Sequence, residues 1–490
     1  MITLDVIRRH ARAMPTAIAL EHADTRLTWR DYAAEVERIL PWVDAQLHSD
    51  LDVVAVESDV SAAVFVCTSA VATLGVPWVA LDPAQSPAVR EEQLRAVEPT
   101  MLLRTLDERL VITTSAGAVK YADIPTLTGT PISRQRDFRA IGFTSGTTGT
   151  PKLVLRDTPS EKRRTAMFIA RFGFNRTDRF LLCLPLSHAS SHGWARTFLT
   201  AGSSVVIEQP DSTAVATQIT ENAITATLLV PPMLTQVLAE LASRSHGQRL
   251  RSSLRFLLTG GRHVPATLVG QVHSALGPVL HSYYGTTETG VNVMADPTDL
   301  LIDPRTSGRV LDGSHVAVLD DDDQPLAEPG DVGRIAIASY MSAQRYANAA
   351  IPSVDIDDRH YVLTTDVGRF EQNGTLRILG RSSRCASATA CGDLLGLEDD
   401  VRLLPDVTDV AAQVAADGTS LSVVLALRRQ PTTEPALLKY LAARIAVQRR
   451  VQLPVSVHTV ERLVFSSTGK FDLTTTLAPT SLVTESLPKN

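Results

Sequence analysis

Cysteine is scarce in this 490-residue chain. The four residues, Cys67, Cys183, Cys385 and Cys391, are scattered and lack the paired spacing of zinc ligands. That pattern argues against a disulfide framework and fits a reducing, cytoplasmic compartment. No block of lysine and arginine stands out and the formal net charge is −6, which leaves no electrostatic footprint for nucleic acid. The longest apolar tract, residues 62–81, is interrupted by Thr68, Ser69, Thr73, Gly75 and Pro77, so it reads as a buried helix followed by a strand rather than a membrane span. The first residues place Arg8, Arg9, His10 and Arg12 in an amphipathic pattern and lack the apolar core of a signal peptide. Internal repeats and low-complexity segments are also missing. With 44% hydrophobic residues, the chain can bury the cores of two or more domains.

What is present begins with the run Thr144, Ser145, Gly146, Thr147, Thr148, Gly149, Thr150, Pro151, Lys152. Apolar residues alternate on both sides, Ile141 and Phe143 before it and Leu153 and Leu155 after it, so the run reads as the tip between two half-buried strands. It is not a Walker A loop, because a proline precedes the lysine and no helix follows. Backbone amides freed by glycine, hydroxyls and the Lys152 charge suit a nucleotide polyphosphate. A flexible turn is the alternative for these residues alone.

The middle of the chain alternates helical and strand patterns. Helical periodicity at 214–222 leads to an apolar run at 225–230, a helix reaches about 242, and strand-like runs at 254–258 and 279–283 end at Gly260, Gly261 and at Tyr284, Gly285. This rhythm predicts an α/β protein with a doubly wound, mostly parallel sheet, whose ligands sit beyond the strand ends. Past about residue 380, apolar alternation at 407–414 and 421–427, a helix at 434–447 and a strand at 455–460 predict a small α+β unit. A linker near residues 380–388, rich in Ser and Arg, sets the expected domains at 1–379 and 380–490, two parts that could move relative to each other.

A second constellation, Tyr284, Gly285, Thr286, Thr287, Glu288, Thr289, Gly290, follows the last of those strands. Glu288 suits Mg²⁺ shared with substrate phosphates, Thr287 can bond a phosphate oxygen and Tyr284 can stack on a base. Gly260 and Gly261 let that base approach the backbone.

In this order the two motifs resemble the adenylate-forming superfamily of acyl-CoA synthetases, nonribosomal adenylation domains and luciferases. The resemblance continues through Leu27, Thr28, Trp29; residues 72–77 and 81–83; the gate segment Leu184, Pro185, Leu186, Ser187, His188; Gly330 to Gly333; Tyr361 to Asp366; Gly380, Arg381; and Ser467, Thr468, Gly469, Lys470. It implies ATP and Mg²⁺ as cofactors, with Glu288 and Thr144 at the metal. Residues Thr144 to Gly149, Lys152, Gly260, Gly261 and Tyr284 to Thr287 would hold the nucleotide. Asp366 would accept from the ribose hydroxyls, Arg381 would face the nucleotide, and Lys470 would bridge the carboxylate and the α-phosphate. The implied reaction is attack of a carboxylate on ATP, with Lys470, Glu288, Thr287 and His188 in the catalytic set.

Adenylation domains for α-amino acids carry an aspartate after the gate, and residues 188–194 offer none. An aromatic or short acyl acid without an α-ammonium is therefore expected. His188, Ser191, His192, Trp194, Gly261, Asn292 and Val293 are the pocket candidates. The clearest departure is the hinge: an acidic residue or lysine is usual two positions after the arginine, and here Ser382, Ser383, Arg384, Cys385 follow. The acceptor is therefore open between coenzyme A, a carrier-protein thiol and an amine. No carrier domain follows Lys470, so any carrier is expected to be a separate protein. A non-catalytic nucleotide-binding module is the remaining alternative.

Overall fold

The computed structural model describes residues 2–477 except 50, 128–137, 146–150, 246–251, 344, 347, 348, 386, 390, 416, 450–452 and 465–472. The chain folds as two compact units. The first comprises Met1–Arg262, Gln271–Val291 and Tyr340–Ile351, and the second His263–Gly270, Asn292–Ser339 and Pro352–Asn490.

The first unit holds two sheets. One runs, in spatial order, Leu280–Tyr284, Phe256–Gly260, Ala226–Leu228, Arg179–Leu182, Ser204–Ile207, Ile18–His22 and Thr25–Thr28. Every pairing is parallel except the final hairpin. Both faces of these strands are covered, which is why their sequences are continuous apolar runs: all five residues of Phe256–Gly260 are buried. Each fully buried Leu or Phe here contributes roughly 1.5–3 kcal/mol.

The other sheet runs Arg345–Tyr346, Pro151–Asp157, Phe138–Ser145, Trp78–Ala80, Val54–Glu57, Met101–Leu106, Arg109–Thr114 and Gly117–Lys120. Its centre is parallel and its two flanks are antiparallel. The apolar tract after residue 61 forms the expected buried helix, Ala62–Leu74, followed by the strand Trp78–Ala80. Ser61 caps that helix by accepting from the Val64 amide, and Gly75 ends it with a left-handed φ of 76°. Among the described residues no helix is long and apolar enough to cross a membrane.

The second unit contains an antiparallel sheet in the order Pro325–Leu326, Ser314–Leu319, Gly333–Ser339, Arg359–Phe370 and Ser353–Ile356, with Leu376–Arg381 also paired to Arg359–Phe370. Nearer the C-terminus, Val407–Val414 and Val455–Val460 flank Leu421–Leu427, the first antiparallel to it and the second parallel. The helices Leu394–Arg402 and Pro435–Gln448 accompany this sheet. One core joins them, with Leu394, Leu397, Val423, Leu425, Leu438 and Ala442 all fully buried. The central strand is buried on its other face as well, where Val424 and Ala426 join Val460 in a second cluster.

One feature departs from the sequence reading. Cys385 and Cys391 form a disulfide, with their Cα atoms 5.1 Å apart, while Cys67 and Cys183 are free and buried. The pair closes the loop that follows the single turn Ser382–Arg384. Asp321 holds the same loop by accepting from the Ala388 amide and the Thr389 hydroxyl.

Candidate functional site

The antiparallel strands Phe138–Ser145 and Pro151–Asp157 form the predicted hairpin, with Thr144 opposite Lys152 and Ser145 opposite Pro151. Gly146, Thr147, Thr148 and Gly149 lie outside the described residues, and for Thr144 and Ser145 the backbone alone is described. A two-residue strand, Arg345–Tyr346, extends the hairpin by setting Tyr346 against Val154. From there the Tyr346 hydroxyl donates to Glu288 Oε1 at 2.9 Å, and Lys152 Nζ lies 4.9 Å from the centre of the Tyr346 ring. Burial first, and then the Glu288 carboxylate, push the phenol's pKa upward. Its proton therefore stays in place as a donor. Two motifs far apart in sequence thus meet through a tyrosine that sequence reasoning missed. Nothing in the local pattern around Tyr346 signals it, since its partners come from two other parts of the chain.

The segment after Leu280–Tyr284 is a tight, self-capped turn. Thr286 donates its amide to Thr289 Oγ1, Thr289 donates its own to Thr286 Oγ1, and the Gly290 amide reaches the Thr286 carbonyl at 2.8 Å. Glycine is obligatory at 285, because a Cβ there would stand 1.7 Å from the Gly290 oxygen. Arg156 Nη2 donates to the Thr287 carbonyl at 2.5 Å, and the Thr287 methyl lies beside Gly142 of the strand Phe138–Ser145. The backbone of Glu288 is fixed as well, its carbonyl accepting from the Ala343 amide at 2.6 Å.

Gly260 and Tyr283 are paired neighbours, so the Gly260, Gly261 and Tyr284 ends are side by side as expected. A Cβ at Gly260 would strike the Tyr283 ring at 2.6 Å. Gly261 has φ 76°, and a Cβ there would lie 3.8 Å from the His188 ring. His188 precedes the helix Ala189–Ala201 and its Nδ1 is buried without a partner among the described residues. Burial, aided by the Arg262 charge, lowers its pKa, so the imidazole is neutral at pH 7.

The remaining gate residues have structural partners. Ser191 donates to the Leu184 carbonyl at 2.9 Å. Trp194 stacks on Phe168 at 4.5 Å within an aromatic cluster that includes Phe174 and Phe256. His192 bonds the Leu186 carbonyl through Nδ1 and meets the Trp78 ring edge-on, and burial pushes its pKa down to about 3.

In the second unit, Asp366 and Arg381 face each other across an antiparallel ladder, with Arg381 Nε 3.6 Å from Asp366 Oδ1. Two sequence candidates are thereby brought together. Asp366 is mostly buried and half of Arg381 is exposed. Asn292 and Val293 are fully buried here. Asn292 Oδ1 accepts from Ser314 Oγ at 2.9 Å, and Val293 pairs with Val310. Lys470 and its loop lie outside the described residues.

Among the described residues no three His, Cys, Asp or Glu side chains converge as a cation cage. A single carboxylate beside a lysine suits instead a magnesium ion that arrives with polyphosphate and keeps most of its ligands from phosphate and water. Glu288, held at one oxygen and at its backbone, fits that role.

A family model described as AMP-binding enzyme matches residues 7–347, which include Lys152, Glu288 and Tyr346. The chain is 27% identical over 397 residues to a medium/long-chain-fatty-acid–CoA ligase of Mycobacterium tuberculosis, covering 78% of this chain and 68% of that protein. It is 25% identical over 480 residues to the 2-succinylbenzoate–CoA ligase of Bacillus licheniformis, covering 95% and 97%. The fold is shared with the amide bond synthetase of Marinactinospora thermotolerans at a TM-score of 0.77 and 21% identity, covering 96% and 98%.

Proposed function

The chain belongs to the family of AMP-binding enzymes and is an AMP-forming ligase; from that membership we propose that it activates a carboxylic acid as an acyl adenylate and passes the acyl group to a thiol. A carboxylate oxygen attacks the α-phosphorus of ATP, and pyrophosphate leaves with the electrons of the broken P–O bond. The sulfur of coenzyme A or of a carrier protein then attacks the acyl carbon, and AMP leaves. Two anions must meet in the first step, so fixed positive charge governs the rate.

The observation that carries this reading is the convergence of Lys152 and Glu288 on Tyr346. It sets a cation and a carboxylate around one ring, the pairing that a metal-bound polyphosphate requires. Lys152 and the 144–150 loop would hold the β- and γ-phosphates, with Thr144 and Glu288 at the metal. When bound, magnesium supplies charge neutralisation at the leaving group. Tyr284, Gly260 and Gly261 would receive the base, Thr287 a phosphate oxygen, and Asp366 with Arg381 the ribose side. Lys470 would stabilise the reacting centre. His188, neutral and beside Gly261, would line the acid's pocket, and the absence of an aspartate at 188–194 favours an aromatic or short acyl acid over an α-amino acid. Rotation about Ser383 would bring the lid to the second step.

A second reading, transfer to an amine, draws on the unusual hinge sequence after Arg381 and on the fold shared with an amide bond synthetase. Incubation with ATP, Mg²⁺ and a panel of acids, with coenzyme A, a carrier protein or amines in separate arms, distinguishes them. Thioester product supports the first reading, amide product the second, and no nucleotide turnover with any acid sinks both.

A further inference from the structure

Beside the helix Ala189–Ala201, which follows the gate segment, lies a charge cluster that the proposed reaction does not use. Glu161 and Arg164 share one face of the helix Thr158–Phe172, Arg156 comes from the preceding strand, and Arg196 from the helix Ala189–Ala201. Glu161 receives all three guanidiniums, at 3.4 Å from Arg156, at 3.1 Å from Arg164, and in close contact with Arg196. Among the described residues Glu161 is the one carboxylate these guanidiniums bond. The cluster is interior: Glu161 is 7% and Arg164 8% exposed. Among the described residues, one negative charge against three positive leaves an excess of two.

An internal ion network would account for the cluster if its charges balanced, and those of the described residues do not. Excess buried charge opposes folding unless a counter-ion compensates it. The hydrogen-bonding ledger is open as well, since the Nε atoms of Arg156, Arg164 and Arg196 are all buried without partners among the described residues. Burial accordingly lowers the pKa of Arg164 to about 10, still high enough to keep it charged at pH 7. The position is specific. Gly193, between His192 and Trp194 on the helix Ala189–Ala201, leaves the space that Arg164 enters, because a Cβ there would stand 2.8 Å from Arg164 Nη2. On its other side the cluster touches the nucleotide segment through the bond from Arg156 to the Thr287 carbonyl. The excess charge thus lies between the helix assigned to the acid and the residue assigned to phosphate.

We propose that the acid activated here carries a second anionic group, a second carboxylate or its equivalent, and that Arg164 and Arg196 are the residues that select it; this rests on the adenylation reading above. The reacting carboxylate loses its charge on adenylation, whereas the second group keeps its own and remains held. Planar guanidiniums with unused N–H groups match a carboxylate in geometry and charge. A neutral analogue would leave the excess charge uncompensated and the Nε–H groups of Arg164 and Arg196 without acceptors, the condition under which a polar site rejects most strongly.

The test is acid-dependent ATP–pyrophosphate exchange on the full chain, comparing short and aromatic dicarboxylic acids with their own monoamides. The expected result is kcat/KM higher for the diacid by on the order of a hundredfold or more. Arg164→Met is expected to collapse that preference through the KM of the diacid, with partial recovery in Arg164→Lys. Thermal melting checks that the variants fold, and the wild-type comparison decides the matter without them. Monoamides or simple monocarboxylates exchanging as fast as the diacids on the wild type would overturn the inference and leave adenylation standing. A rise in the KM of ATP instead of the acid would also overturn it, assigning the cluster to the triphosphate. No exchange with any acid removes the adenylation reading and the inference with it.

Discussion

Tyr346 donates its phenolic hydrogen to Glu288 Oε1 at 2.9 Å, and with that bond it ties the strand beside the Phe138–Asp157 hairpin to the carboxylate proposed for the metal. The phenol orients Glu288 and neutralises none of its charge, because its own pKa is driven up. It is therefore a positioning residue. Tyr346→Phe keeps the ring next to Lys152 and removes the bond alone. A hydrogen bond to a charged group is worth about 1.5–3 kcal/mol, so the Mg²⁺ requirement of pyrophosphate exchange should rise by roughly ten- to a hundredfold. An unchanged Mg²⁺ titration would show that the bond does not position the metal ligand.

The turn that carries Glu288 has no room for a side chain at 285. Gly285→Ala is expected to cost roughly 3 kcal/mol or more, since the clash is with the Gly290 backbone and no side chain can yield. Gly270→Ala serves as the control: its Cβ meets nothing within 4 Å in the helix Ala266–Leu276, and a stabilisation of up to about 1 kcal/mol is expected. Thermal unfolding of both variants reads the contrast. A Gly285→Ala protein melting with the wild type would refute the turn geometry.

His192 gives a pH signature. Its folded pKa lies near 3, below the free value of 6.5, mainly through burial. The unfolded chain therefore takes up the proton first, and the stabilisation present above pH 6.5 is lost as pH falls toward 3. At pH 5 the loss is at most about 2 kcal/mol, because His192 is not wholly sealed from solvent. Urea unfolding at pH 7 and pH 5 should show a smaller drop for His192→Gln than for the wild type. Equal drops would mean that His192 titrates freely in the folded protein.

The disulfide predicts a thiol count. Four cysteines less the two joined as Cys385–Cys391 leave Cys67 and Cys183. Protein purified without reductant and unfolded in guanidinium should therefore titrate as two thiols, and as four after reduction. Four thiols before reduction would contradict the pairing. Cys385→Ser is expected to lower the stability of the second unit by about 2–3 kcal/mol, since closing even a short loop restricts the unfolded chain.

Much of this architecture was legible because one-dimensional pattern and three-dimensional burial coincide in it. The strands Val407–Val414, Leu421–Leu427 and Val455–Val460 stand where apolar alternation put them, and Gly260 and Tyr284 end adjacent strands as the rhythm of the sequence required. The pairings that were not legible join residues with no shared local pattern. Tyr346 reaches Glu288 from a two-residue strand too short to leave a periodic trace. Glu161 and Arg164 look like an ordinary solvated helical pair until Arg156 and Arg196 close over them from other elements. Cys385 and Cys391 gave no pairing signal because proximity is a property of the loop's path. The antiparallel sheet from Ser314 to Phe370 likewise went unread, since burial along its strands follows no regular alternation.

The central claim, that this chain joins an acid to AMP, is tested most directly by acid-dependent ATP–pyrophosphate exchange in the wild type and in Lys470→Ala. The account predicts exchange only when a suitable acid is present, reduced a hundredfold or more, about 3–4 kcal/mol, in the variant, with ATP still bound. Exchange at wild-type rates in Lys470→Ala, or no exchange with any acid in the wild type, would contradict it.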